Sequence, residues 1–95
     1  WNMQKGNELL FLKNQPKKAI KYFDLAINYL PNNETIQGIR GYCKYMMGDT
    51  EGANRDWERA NILAERKGVI VDFEKLAKTS VNLQEFEEML LSVEK

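Results

Sequence analysis

One short pattern occurs twice in this chain, and it restricts the possible folds more than any other feature. An alanine is followed after four positions by a bulky aromatic residue and after seven by a second alanine. The two copies are Ala19, Phe23 and Ala26, and then Ala53, Trp57 and Ala60, 34 residues later. Spacings of three and four residues place side chains on one face of a helix. A fixed period of this length is typical of stacked helical hairpins.

The spacing of apolar residues and of helix breakers predicts six helices. Pro16 suits the first turn of a helix, Pro31 ends one, and Gly48 and Gly68 provide the left-handed residue that often follows a helix. The predicted helices cover residues 2–13, 16–30, 34–47, 51–67, 69–79 and 83–93. Residues 69–71 are all β-branched and could instead form a strand. We favour a helix there, because no other segment alternates to pair with such a strand.

The third predicted helix contains two glycines, Gly38 and Gly41. Each costs about 1 kcal/mol of helix stability relative to alanine. Close approach of a neighbouring helix usually compensates for such a cost. We therefore expect another helix to pack tightly against both positions.

Composition argues against several classes of function. The 14 basic and 14 acidic residues cancel, so nucleic acid and membrane surfaces lose their electrostatic attraction. There is no histidine, and the single Cys43 is interpreted as a small buried residue. Asp56 and Glu58 are expected on an exposed helix face without catalytic partners. We predict no enzymatic activity, cofactor, metal site or membrane insertion. Because the chain starts at Trp1, we expect a piece of a longer protein, with the cytoplasm slightly favoured.

Residues 3–64 resemble the tetratricopeptide repeat family. The matching positions are Ala19, Phe23, Ala26 and Pro31 in the first copy, and Gly41, Gly48, Asp49, Ala53, Trp57 and Ala60 in the second. The family's small residue in the first helix is matched by Gly6 one residue too early. Either the hairpin loop contains an extra residue, or Asn7 takes that position. The resemblance implies an all-α, right-handed stack of helical hairpins.

This resemblance divides the single domain into repeat one at residues 1–33, repeat two at 34–67, and a degenerate hairpin or cap at 68–95. It implies a concave groove, lined by the first helix of each hairpin, that holds a peptide or a partner's helix. The groove positions carried over are Asn7, Phe11, Thr35, Gly38, Tyr42, Tyr45 and Met46. For Phe11, Leu12 and Met46 we favour core packing over groove exposure, and for Tyr42 and Tyr45 we favour exposure. The family's carboxylate clamp is not expected, because Val69 and Phe73 stand where its cations belong.

We therefore expect a protein-interaction scaffold of unknown partner, with a structural role in self-association as the alternative. A basic cluster, Lys13, Lys17, Lys18 and Lys21, is interpreted mainly as a solvated helix face. Docking of an acidic segment is the alternative interpretation of that cluster.

Overall fold

The computed structural model describes residues 2–80, 85, 86 and 88, with side chains from residue 5 onward except that of Phe11. The fold is all-α, as predicted, and the described residues contain five α-helices and no strand. The elements are α1 (Asn2–Asn7), a π-helical segment (Glu8–Leu12), α2 (Pro16–Tyr29), α3 (Glu34–Met46), α4 (Thr50–Arg66) and α5 (Phe73–Thr79). Residues 85, 86 and 88 are helical, and the rest of the predicted sixth helix lies outside the described residues.

Local sequence determines where most helices begin and end. Side chains of Asn33, Asp49 and Asp72 cap α3, α4 and α5 by accepting hydrogen bonds from backbone N–H groups in the first turn, at 2.9–3.2 Å. Gly48 and Gly68 follow α3 and α4 with φ near +87° and +84°, where L-residues are strained. The predicted start of the fifth helix was wrong. Residues 69–72 are not helical, and the helix begins after its cap at Asp72.

The core follows the repeated pattern. Helix α1 packs against α2, α3 packs against both α2 and α4, and α5 packs against α4. All six residues of the two repeated triplets are buried, and they form one cluster with Leu10, Ile36, Cys43, Phe73 and Phe86 among others. Leu30, which follows α2, is 44% exposed, and Ile62 in α4 is 40% exposed. The buried face of α4 nevertheless continues past Ile62 through Leu63 and Ala64.

Both glycines of α3 lie at close helix contacts, as expected. A Cβ atom at Gly41 would lie 2.6 Å from Trp57 Nε1, and one at Gly38 would overlap the Phe73 ring. The Trp57 Nε1 group also donates a hydrogen bond to the Gly38 carbonyl oxygen, at 3.2 Å. Helices α3 and α4 can approach this closely because Gly41 lacks a side chain, and the missing side chain of Gly38 leaves room for Phe73 of α5.

The first hairpin, formed by α1 and α2, also has a close contact between a glycine and an aromatic ring. The two residues are one position further apart in sequence than in the second hairpin. A Cβ at Gly6 would lie 3.1 Å from Phe23 Cζ, so Gly6, and not Asn7, occupies the small-residue position. Phe23 follows Gly6 by 17 positions, whereas Trp57 follows Gly41 by 16. The π-helical segment absorbs the difference, because its wider turn bonds Lys13 N–H to the Glu8 carbonyl, five residues back, at 3.2 Å. The extra residue thus lies inside the first helical unit and not in the loop.

Candidate functional site

The predicted groove positions of α3 are in two different environments. Thr35, Gly38, Tyr42, Tyr45 and Met46 recur at helical spacing along one side of α3. Gly38 is buried against Phe73. Tyr42 is only 4% exposed, because Phe86 stacks on its ring with centroids 4.2 Å apart. The expectation that Tyr42 is exposed was therefore wrong, since C-terminal residues cover it.

The C-terminal end of α3 remains open. Tyr45 is 38% exposed, as expected, and Met46 is 42% exposed, so the expected core packing of Met46 was wrong. The Tyr45 ring contacts Tyr42 edge-on at 6.4 Å between centroids, and it contacts Trp57 at 5.6 Å. Tyr45 is therefore supported from inside the core while one side of its ring faces solvent.

The remaining predicted residues are less accessible or not described. Thr35 and Asn7 are half-buried. The Asn7 side-chain oxygen is buried without a hydrogen-bond partner among the described residues. The side chain of Phe11 lies outside the described residues. Leu12, for which core packing was favoured, is 81% exposed, so that prediction was wrong.

A hollow that the sequence did not indicate adjoins the open end of α3. It has a volume of about 420 Å³. Its lining comes from the start of α2 and the end of α3, namely Gln15, Pro16, Lys17, Lys18, Met46 and Met47. Because α2 and α3 are joined by a short loop, the start of one can lie beside the end of the other. That connection was the available signal for this site.

The lysines of the predicted basic cluster differ in their surroundings. Lys13 Nζ lies 3.6 Å from a Glu8 carboxylate oxygen, and Lys21 Nζ lies 6.0 Å from the centroid of the Tyr22 ring. Lys17 and Lys18 are exposed beside the hollow, and no carboxylate pairs with either among the residues that the structure describes. The hollow thus combines an apolar lining with two lysines that no carboxylate of the described residues pairs.

A partly buried charge network joins α2, α3 and α4, with its Asp56 end buried and its Asp24 end exposed. The Arg40 guanidinium donates two hydrogen bonds to Asp56, at 2.8 and 2.9 Å, and a third to Asp24 at 2.9 Å. Lys44 Nζ lies 3.1 Å from Asp56 Oδ2, the oxygen that also accepts the hydrogen bond from Arg40 Nε. Although burial alone would lower the pKa of Arg40, hydrogen bonds and charges from Asp56 and Asp24 raise it. The network therefore keeps its charges paired.

Asp56 was expected on an exposed face and is only 4% exposed. Its position in α4, between Ala53 and Ala60 at spacings of three and four residues, could have indicated burial. Gln37 Nε2 also donates to Asp56 Oδ1 at 3.3 Å. This carboxylate is occupied by three side chains of α3, so it has an architectural role.

Cys43 is fully buried, as expected. Burial, with smaller effects of the Asp24 and Asp56 charges, raises the pKa of its thiol to about 12. The thiol is therefore protonated near neutral pH and is a poor nucleophile. In the part of the chain that the structure describes, no group of three or more histidine, cysteine or acidic side chains could hold a metal ion. Within the same part, none of the helices is both long and apolar enough to cross a bilayer.

Comparisons of the chain with protein-family models, with curated proteins and with solved structures find no match. Its function has to be inferred from its own surfaces and contacts.

Proposed function

We propose that this chain is a non-enzymatic protein-interaction domain built from two tetratricopeptide-like hairpins. Its binding surface is the open end of α3. The recurring glycine–aromatic contact supports the repeat interpretation. Gly6 meets Phe23 in the first hairpin, and Gly41 meets Trp57 in the second. The buried chemistry is used internally, because Asp56 is neutralised by cations and the Cys43 thiol is protonated.

The observation that carries the proposal is the exposure of Tyr45 and Met46 at the C-terminal end of α3, where Met46 also lines an apolar hollow. Aromatic residues and methionine are enriched in protein interfaces, because they provide contact area and methionine adapts its shape. Tyr45 is also held by Tyr42 and Trp57, so little side-chain freedom would be lost on binding. A peptide or a partner's helix lying across this end would bury both side chains.

Selection from a random-peptide display library tests this proposal. The unmodified chain should enrich a set of related sequences, and the double variant Tyr45→Ala/Met46→Ala should not capture them. Tyr29→Ala is the matched control, since Tyr29 is a large exposed residue near the other end of α2. The proposal would be wrong if no sequence family is enriched, or if the double variant captures the same peptides as well as the control does.

Self-association is the second candidate. It is favoured by the exposure of three large apolar residues, Ile62 inside α4 and Val69 and Ile70 after its end. Sedimentation equilibrium would detect a dimer, and Ile70→Ser should weaken it. A monomer at high micromolar concentration would exclude this candidate and leave the interaction domain in place.

A further inference from the structure

We infer that the hollow between the start of α2 and the end of α3 docks an acidic segment of a partner protein. An apolar side chain of that segment sits among Pro16, Met46 and Met47, and its carboxylates lie beside Lys17 and Lys18. This inference rests on the proposed function and specifies the chemistry of the partner. The apolar part of the hollow adjoins the open end of α3, because Met46 belongs to both.

Charge complementarity carries the choice of an acidic occupant. Five lysines pair with carboxylates: Lys5 and Lys13 with Glu8, Lys44 with Asp56, Lys67 with Glu34 and Lys78 with Glu74. Lys21 and Lys75 have no such pair among the described residues, but neither of them lines the hollow. Lys17 and Lys18, at the hollow, have no such partner among the described residues. A carboxylate arriving there gains two cations without displacing an internal ion pair.

The N-terminus of α2 also favours a negatively charged ligand. Helix α2 has no acidic residue in its first turn, and Gln15 forms no side-chain cap. By contrast, α3, α4 and α5 each have a side-chain cap and a glutamate in the first turn. The positive end of the α2 dipole therefore adds to the charges of Lys17 and Lys18. A partner carboxylate would provide the negative charge that the other helices supply from their own sequence.

The peptides selected with the unmodified chain provide the test. They should be rich in aspartate and glutamate around an apolar residue. Fluorescence anisotropy should show that Lys17→Gln/Lys18→Gln weakens their binding about 3- to 10-fold at low salt. The variant should also lose most of the salt dependence, because exposed charge interactions are screened. Arg55→Gln/Arg66→Gln makes the same charge change on exposed residues of α4 and should bind like the unmodified chain.

The outcomes separate this inference from the proposed function. Selected peptides that depend on Tyr45 and Met46 but are not acidic would overturn the inference alone. Equal affinity for the Lys17→Gln/Lys18→Gln variant would do the same. A salt-sensitive dimer that this variant abolishes would mean that the occupant is a second copy of the chain. Binding to phosphatidylserine vesicles without selection of acidic peptides would assign the lysines to a membrane surface. If no peptide is selected, both proposals fail.

Discussion

Helix α3 carries a tyrosine in its middle and another at its C-terminal end, and the two are in opposite situations. Toward its middle, Gly38 and Tyr42 are covered by Phe73 and Phe86. At its C-terminal end, Tyr45 and Met46 are exposed to solvent, and Met46 lines an apolar hollow. A repeat pattern identifies positions on one face of a helix, but it does not say which of them the rest of the chain covers. In a short array, the covered positions contribute to stability and the open ones remain available for binding.

The largest loss of stability is expected from the ion pairs that join α3 to α4. Asp56→Ala leaves Arg40 and Lys44 partly buried without their carboxylate and should lower the free energy of unfolding by about 3–5 kcal/mol. Glu58→Ala removes an exposed carboxylate two residues away and should change it by less than about 0.5 kcal/mol. Urea unfolding measures both. Similar values for the two variants would show that the network does not hold α3.

The Phe86 ring, which covers Tyr42, should contribute nearly as much to the free energy of unfolding. Phe86→Ala removes a fully buried ring from Tyr42 and should cost about 3 kcal/mol. Tyr45→Ala is the comparison from the open end, where a partly exposed ring should cost only about 1 kcal/mol. Urea unfolding of both variants tests the contrast between the covered middle of α3 and its open C-terminal end. The contrast disappears if Phe86→Ala is as mild as Tyr45→Ala.

A methyl group added at Gly38 tests how closely the Phe73 ring packs against α3. Gly38→Ala gains about 1 kcal/mol of helix propensity but forces the Phe73 ring to move, so a net loss of about 1–2 kcal/mol is expected. In a double-mutant cycle, Phe73→Leu should relieve part of this loss because the smaller side chain leaves room. Additive costs in the double variant would argue against direct contact between the two positions.

Raising the pH should destabilise the fold by a smaller change for each pH unit. Burial raises the pKa of the Cys43 thiol from 9.0 to about 12, and burial with a smaller effect of Tyr45 raises that of Tyr42. Both groups are protonated more readily in the folded state. Their stabilisation is complete below the pKa values of the unfolded chain, and it is lost as pH rises through the folded values. For Cys43 this window is pH 9–12.

Each group can change the unfolding free energy by at most about 1.4 kcal/mol per pH unit in its window. The variant Tyr42→Phe should lose stability less steeply with rising pH than the unmodified chain. Unfolding measured at several pH values gives both slopes. Parallel slopes would mean that Tyr42 titrates as it does in the unfolded chain.

Features set by local pattern were predictable from the sequence, and those set by distant segments were not. The buried triplets around Phe23 and Trp57 follow from helical periodicity, and the close contact at Gly41 follows from its missing side chain. For the early position of Gly6, the sequence suggested either an extra residue in the loop or Asn7 at the small-residue position, and neither alternative was right. The contact of Phe23 with Gly6 assigns the extra residue to the π-helical segment.

The candidate site was predicted only in part for the same reason. Tyr45 belongs to the exposed end, but Tyr42 is buried because Phe86, 44 residues later, stacks on it. The hollow joins Pro16 to Met46, residues that no periodic pattern relates. Asp56 was expected on an exposed helix face, although its spacing from Ala53 and Ala60 places it on the buried side of α4, where a carboxylate needs a cationic partner.

The most direct test of the central proposal is a nuclear magnetic resonance titration of the labelled chain with a selected peptide. The largest changes in chemical shift should occur at Tyr45, Met46 and Met47, with smaller ones at Lys17 and Lys18. Contacts between Tyr42 and Phe86 should persist in the complex. Changes centred on Gly38 and Tyr42, with loss of the contacts to Phe86, would show that the partner binds the covered part of α3 and would contradict the account.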